Sequence, residues 1–143
     1  MSVVLNLFRM VAKEGFPPEY IATRLNDTVS ENNENGMFCT MFIGEIDLPS
    51  GNLKFCNAGH TPPVMLAGQS DGSSTDKPAF LEMVESNAPI GLWPELGFIG
   101  EEVESVKGRP LLFYTDGLSE GVRQFVGDAP QSDDLAMLCI MCH

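Results

Sequence analysis

Positive charge is what this sequence has least of. Eight lysines and arginines stand against twenty aspartates and glutamates in 143 residues, a formal net charge of −12. So acidic a body repels nucleic acid and anionic membrane surfaces, and neither is expected as a direct partner; a phosphorylated protein is not excluded. Long apolar runs are missing too. No segment approaches the length of a membrane span, and the opening MSVVLNLFRMVAKEG lacks the basic start and cleavage pattern of a signal peptide. The expectation is a cytoplasmic piece, in which the Asn26-Asp27-Thr28 sequon carries no weight because glycosylation requires a secretory route.

Cysteine is sparse and scattered. Cys39, Cys56, Cys139 and Cys142 lie in apolar surroundings that suit reduced, buried thiols, so no disulfide is expected. The ending Cys139-Ile-Met-Cys142-His143 matches the c-type haem attachment pattern, but it lies inside a strand-like run that points its two cysteines to opposite faces. Zinc is no better served, since no second Cys/His pair is suitably spaced.

What the chain does have is apolar residues, 43% of the total, enough for one ordinary domain to bury a core. Val4, Leu7, Phe8 and Val11 recur at helical spacing over residues 3–14, and Gly15 with Pro17-Pro18 stops the run. A second helix is predicted from Pro18 to about Asn32, carrying Ile21, Leu25 and Val29. The pattern then changes to strands. Residues 37–48 and 53–60 read as a hairpin closed by PSGN, residues 62–68 as a third strand, and 79–84 and 96–106 as two more around NAPIGLWPE. In that stretch Pro89-Ile90-Gly91-Leu92 reads as a bend and Trp93 as a packing residue. Helices first and strands after make an α+β arrangement. Asn57-Ala58-Gly59-His60 sits on the bend after a strand. A lone histidine is rarely a site, so the motif reads as a shaped turn with a polar tip rather than a general acid or metal ligand.

The chemistry concentrates in residues 109–120, RPLLFYTDGLSE. Leu111 to Tyr114 form a strand-like run that ends at Asp116, and Gly117 allows a tight turn beside that acid. Ser132-Asp133-Asp134 precedes a second apolar run, LAMLCIMC. If the two strands pair antiparallel, Asp116 and Asp133/Asp134 converge at one sheet edge. Carboxylates gathered without Lys or Arg repel one another, and a hard divalent cation, Mg²⁺ or Mn²⁺, relieves that repulsion.

In order, MFCTMFIGEIDLPSGNLKFCNAGHTPPVML, NAPIGL, LLFYTDGLSEG and SDDLAMLCI resemble the PPM-type (protein phosphatase 2C-like) metal-dependent serine/threonine phosphatases, in their bacterial SpoIIE-like, sigma-factor-regulating branch. The resemblance runs over most of the chain. It implies an antiparallel β-sandwich flanked by helices with a two-metal Mg²⁺/Mn²⁺ site at one end, where metal-activated water hydrolyses phosphoserine or phosphothreonine on a regulatory protein of the anti-anti-sigma type. Carried over by residue, Asp116 and Asp133 become catalytic metal ligands, with Asp134 beside them as a further ligand or supporting group; no substrate-binding residue is identified. Such domains normally begin with strands that carry two further aspartates, and this sequence matches from the following helix. Only GVRQFVGDAPQ separates the TDG motif from the final acidic pair, where relatives carry a longer helical stretch. Residues 1–143 are therefore expected to be a partial, incomplete domain of this fold, whose uncovered strand edges favour a homodimer. The alternative function is a catalytically incomplete remnant acting as a binding or scaffold module.

Overall fold

The computed structural model describes residues 2–31, 33–34, 36–66, 78–114 and 137–140. Two helices, α1 (Ser2–Ala12) and α2 (Pro18–Glu31), come first. Seven strands follow among the described residues: β1 (Met41–Ile46), β2 (Leu53–Ala58), β3 (Val64–Met65), β4 (Ala79–Phe80), β5 (Glu101–Val103), β6 (Leu111–Tyr114) and β7 (Met137–Ile140). They make two antiparallel sheets, ordered β1-β2-β5 and β4-β3-β6-β7. The α+β reading holds. The chain divides into two compact units, each assembled from separate stretches of sequence.

The first unit holds both helices and the first sheet. The chain turns between the helices at Gly15, whose φ of +75° is left-handed and suited to glycine, and Pro18 then opens α2 where its missing N–H costs nothing. The apolar stripe of α2 is buried as its spacing predicts: Ile21, Ala22 and Leu25 form a core with Ile43, Cys56, Ala58, Ile90 and Phe98. Leu7, Phe8, Val11 and Ala12 of α1 pack against that core, with Val29. Burying a Leu or Ile side chain here contributes about 1.5–3 kcal/mol.

The hairpin lies where the alternation puts it, with Met41 opposite Ala58 and Ile46 opposite Leu53. Phe42 and Phe55 stack across it, their ring centroids 5.2 Å apart. The residues that join β1 to β2 fold on themselves. Asp47 donates its N–H to the Asn52 carbonyl (2.9 Å), its carboxylate accepts from the N–H and hydroxyl of Ser50, and Gly51 takes a φ of +78°.

Asn26 holds the first unit's irregular segment in place. Its side chain is fully buried, an unusual setting for a polar group on a helix. The amide nitrogen donates to the Trp93 carbonyl (3.0 Å), and the amide oxygen accepts the Gly91 N–H (2.9 Å). Gly91 has a φ of +87°, and a Cβ there would lie 2.6 Å from Val29 Cγ1 and 2.9 Å from the Met37 carbonyl oxygen. Ile90 and Cys39 exchange both backbone hydrogen bonds at 2.9 Å. The bend expected at Pro89–Leu92 is thus real. The packing role expected of Trp93 is not: its side chain is 58% exposed, and its carbonyl is what the fold uses.

The second unit contains the other sheet. The third strand does not extend the hairpin. Pro62 and Pro63 have no N–H to offer a ladder, and β3 pairs instead with β4 and β6. Val64 and Tyr114 are buried together, with Leu66 and Leu112 against them. Strands expected over 79–84 and 96–106 shrink to two and three residues. In the latter, Gly100 passes so close to α2 that a Cβ would collide with the Glu19 carboxylate.

Replacing Asn26 with Ala should leave the Gly91 N–H buried without an acceptor, at a cost of about 1–3 kcal/mol. A urea midpoint unchanged within experimental error would show that the amide does not hold this segment.

Candidate functional site

Strand β6 is the described element that directly precedes the acidic motif in the sequence. Its residues pair with β7 in a register that sets Leu111 opposite Ile140, Leu112 opposite Cys139, Phe113 opposite Leu138 and Tyr114 opposite Met137. The antiparallel pairing expected from the two apolar runs is therefore present, and the end of β6 meets the start of β7. Asp116, Asp133 and Asp134 lie outside the described residues, as do Cys142 and His143. Among the described residues no three His, Cys, Asp or Glu side chains gather in a way that would hold a metal ion.

The NAGH bend has a definite construction. The His60 N–H donates to Asn57 Oδ1 (2.9 Å), and Asn57 Nδ2 returns a bond to the His60 carbonyl (2.8 Å). Gly59, between them, has a φ of +69°, and a Cβ there would lie 2.8 Å from Pro89 Cγ. Both bonds use the backbone of His60, as expected of a shaped turn.

A second asparagine, which sequence reasoning passed over, ties this bend to the chain that crosses it. Asn87 Nδ2 bonds the Ile99 carbonyl (2.9 Å) and the Asn57 carbonyl (3.3 Å), and Asn87 Oδ1 accepts the Ile99 N–H (2.9 Å). The available signal was the repeated Asn-Ala pair, at 57–58 and 87–88, each just before a glycine- or proline-bearing bend. Beneath lies Cys56, nearly inaccessible. Its thiol is pushed up to about 12, first by burial and then by the negative charges of Glu19 and Glu101. Burial also raises Cys39, so neither thiol is poised as a nucleophile.

Two helices, two antiparallel sheets and the ordered bend motifs together define a phosphatase fold of the protein phosphatase 2C type. The structure aligns with the RsbU and RsbW domains of Rv1364c from Mycobacterium tuberculosis at a TM-score of 0.68 and 27% identity, over 84% of this chain and 31% of that one. The PP2C phosphatase domain of the cell-fate determinant SpoIIE from Bacillus subtilis shares the fold, with a TM-score of 0.64 at 22% identity over 84% of this chain and 33% of that one. Residues 1–125 match the family described as stage II sporulation protein E (SpoIIE), and the chain belongs to that family of PPM-type serine phosphatases. Protein IcfG of Synechocystis is 32% identical over 76% of this chain, and the phosphoserine phosphatase RsbP of Bacillus subtilis is 26% identical over 80%. The chain spans 15% of the first protein and 27% of the second.

Replacing Gly59 with Ala should destabilise the protein by at least about 1–2 kcal/mol from the left-handed φ alone, with the Pro89 contact adding to it. Normal thermal stability of that variant would mean that the bend adapts. Cys56 makes a pH-dependent prediction. A thiol that titrates near 9 unfolded and about 12 folded contributes stability below pH 9 that is lost as the pH rises toward 12. The stability difference between the parent and Cys56→Ala should therefore shrink over that window, whereas a constant difference would show a thiol that titrates normally.

Proposed function

We propose that this chain forms the metal-binding edge of a SpoIIE-type phosphatase that hydrolyses phosphoserine or phosphothreonine on a partner regulatory protein. The observation that carries the reading is the β6/β7 register. Tyr114 stands opposite Met137, and in the sequence Asp116 follows Tyr114 by two residues while Asp133 and Asp134 precede Met137 by four and three, which supports bringing the three acids to one sheet edge. An all-carboxylate set at one strand end suits a hard divalent cation better than any other ligand. The B. subtilis SpoIIE phosphatase domain presoaked with Mn shares the fold, with a TM-score of 0.52 at 16% identity over 97% of this chain and 72% of that one.

In this reading Asp116 and Asp133 hold the cation, and Asp134 serves as a further ligand or orients one. When bound, the ion supplies acidity to a coordinated water and positive charge for the phosphoryl oxygens. The chain's own contribution is a strand, β6, anchored by buried Leu111 and Tyr114, that leads into the first of these carboxylates. No protein nucleophile is required, in keeping with the two raised thiols. The substrate proposed is a small phosphorylated regulator of the anti-anti-sigma kind; RsbP's description as a phosphoserine phosphatase supports the phosphoserine by kinship.

One or two carboxylates hold a hard cation loosely, so these 143 residues alone should turn over a phosphoserine peptide slowly with Mn²⁺. Preceded by a segment that supplies the two upstream aspartates expected of the family, the chain should be active. Asp116→Asn in that longer protein should lower kcat/KM about 100-fold or more, since Asn keeps the shape and removes the charge that holds the ion. Full activity in that variant would remove Asp116 from the site. An inactive longer chain that still binds the regulator would favour the scaffold alternative. Light scattering on the same samples reads the homodimer expected from uncovered strand edges.

A further inference from the structure

The first unit carries an apolar ridge that its own core does not use. Met37, Phe38, Leu92 and Trp93 are 63%, 59%, 38% and 58% exposed. They belong to two segments held side by side. Asn33 Nδ2 bonds the carbonyls of both Met37 (2.7 Å) and Gly91 (3.0 Å), and Cys39 pairs with Ile90. The Trp93 carbonyl is fastened to α2 by Asn26 and Ser30. The ridge is therefore built on fixed backbone, and its side chains are presented rather than loosely exposed. Scattered apolar residues need no explanation, but four large ones on adjoining, hydrogen-bonded segments do.

Along the same helix runs an open groove of about 620 Å³, lined by α2 on one side and by residues 94–97, directly after Trp93, on the other. Its charged residues are Asp27, Glu31 and Glu95 against a single Arg24. None of the three acids makes an ion pair among the described residues. Ridge and groove thus join an apolar surface to an excess of negative charge, and that combination selects the occupant. Anionic membrane and nucleic acid are repelled. A second copy docked groove to groove would set Asp27, Glu31 and Glu95 against the same three acids. The complementary chemistry is an amphipathic segment with large apolar residues on one side and lysines or arginines beside them.

We propose that the ridge of Met37, Phe38, Leu92 and Trp93, with the acidic groove of Asp27, Glu31 and Glu95, is a docking surface for a basic amphipathic segment of a partner protein. It uses residues of the first unit alone and does not depend on the phosphatase reading. Trp93 is the only tryptophan in the sequence, so its emission reports the surface directly.

The test titrates the 143-residue protein with an 18-residue Leu/Lys peptide patterned as an amphipathic helix and free of tryptophan. A scrambled peptide of the same composition, a Leu/Glu counterpart and phosphatidylserine vesicles serve as comparisons. The expected result is a saturable blue shift of Trp93 emission with the patterned Leu/Lys peptide, at least tenfold weaker with the scrambled one and absent with the two anionic probes. Paired reversal of Asp27→Lys and Glu31→Lys should weaken binding at least tenfold. Should that variant misfold, Trp93→Ala, whose exposed side chain has little packing to lose, should show the same loss by calorimetry. Equal affinity for patterned and scrambled peptides would reduce the effect to bulk charge. No shift, a shift with vesicles or the Leu/Glu peptide, or full binding by the variants would overturn the proposal.

Discussion

The first unit depends on one buried amide. A helix side chain facing a core is normally apolar, and Asn26 occupies such a place with no exposed surface at all. It is tolerated because both ends of its amide are used, one on the Trp93 carbonyl and one on the Gly91 N–H. The segment that follows Ile90 has no regular ladder of its own, so its polar groups must find partners elsewhere. Asn26 supplies them from α2, and Asn33 adds a second attachment just beyond that helix. Gly91 can approach so closely only because it lacks a Cβ. A buried polar network of this kind is rigid when satisfied and costly when broken, which ties the ridge above it to the core below.

The same device recurs at the hairpin's end. Asn57 closes the bend onto the His60 backbone, and Asn87 fastens that bend to the strand-like chain at Ile99. Four asparagines thus do in this unit what longer ladders do in a larger sheet. β5 contributes only three residues to pairing, and an amide that both donates and accepts replaces part of a ladder with fixed geometry. Cys56 lies among these contacts and is kept neutral by burial, so the hairpin's inner face stays chemically inert.

Periodicity made much of this legible. Ile21 and Leu25 recur every four residues and are buried, and the hairpin closes where Asp47, Ser50 and Gly51 supply turn chemistry. A large aromatic suggests a core residue, but Trp93 is held through its backbone carbonyl by Asn26 and Ser30 while its side chain is exposed, which no local pattern announces. The fate of β3 is equally non-local: Pro62-Pro63 announces that pairing stops, but nothing local says that Val64 will meet Leu112. The strand expected over 96–106 keeps only Glu101–Val103, directly after Gly100, where a Cβ would meet the Glu19 carboxylate. Antiparallel pairing of the two apolar runs was readable as a condition for bringing the acids together, and β6 and β7 do pair so; their register was not legible, since apolar runs fix no residue-by-residue partners.

Charge links these features. A protein at −12 gains nothing from further carboxylates in its folded state, since each adds to self-repulsion. Acids gathered without basic partners are therefore costly unless something positive binds there, as with Asp27, Glu31 and Glu95 along the groove, and the proposed metal edge would follow the same rule. The two places differ in what can neutralise them. A compact ion needs close oxygen ligands, as the proposed site would have to supply, whereas an open groove beside exposed aromatic and aliphatic side chains favours long, flexible cations carried on an apolar stem. Lysine and arginine have that form, and this chain has few of its own to spare. Charge that the fold does not neutralise internally marks where it meets its surroundings, and the adjoining surface decides whether an ion or a polypeptide fits.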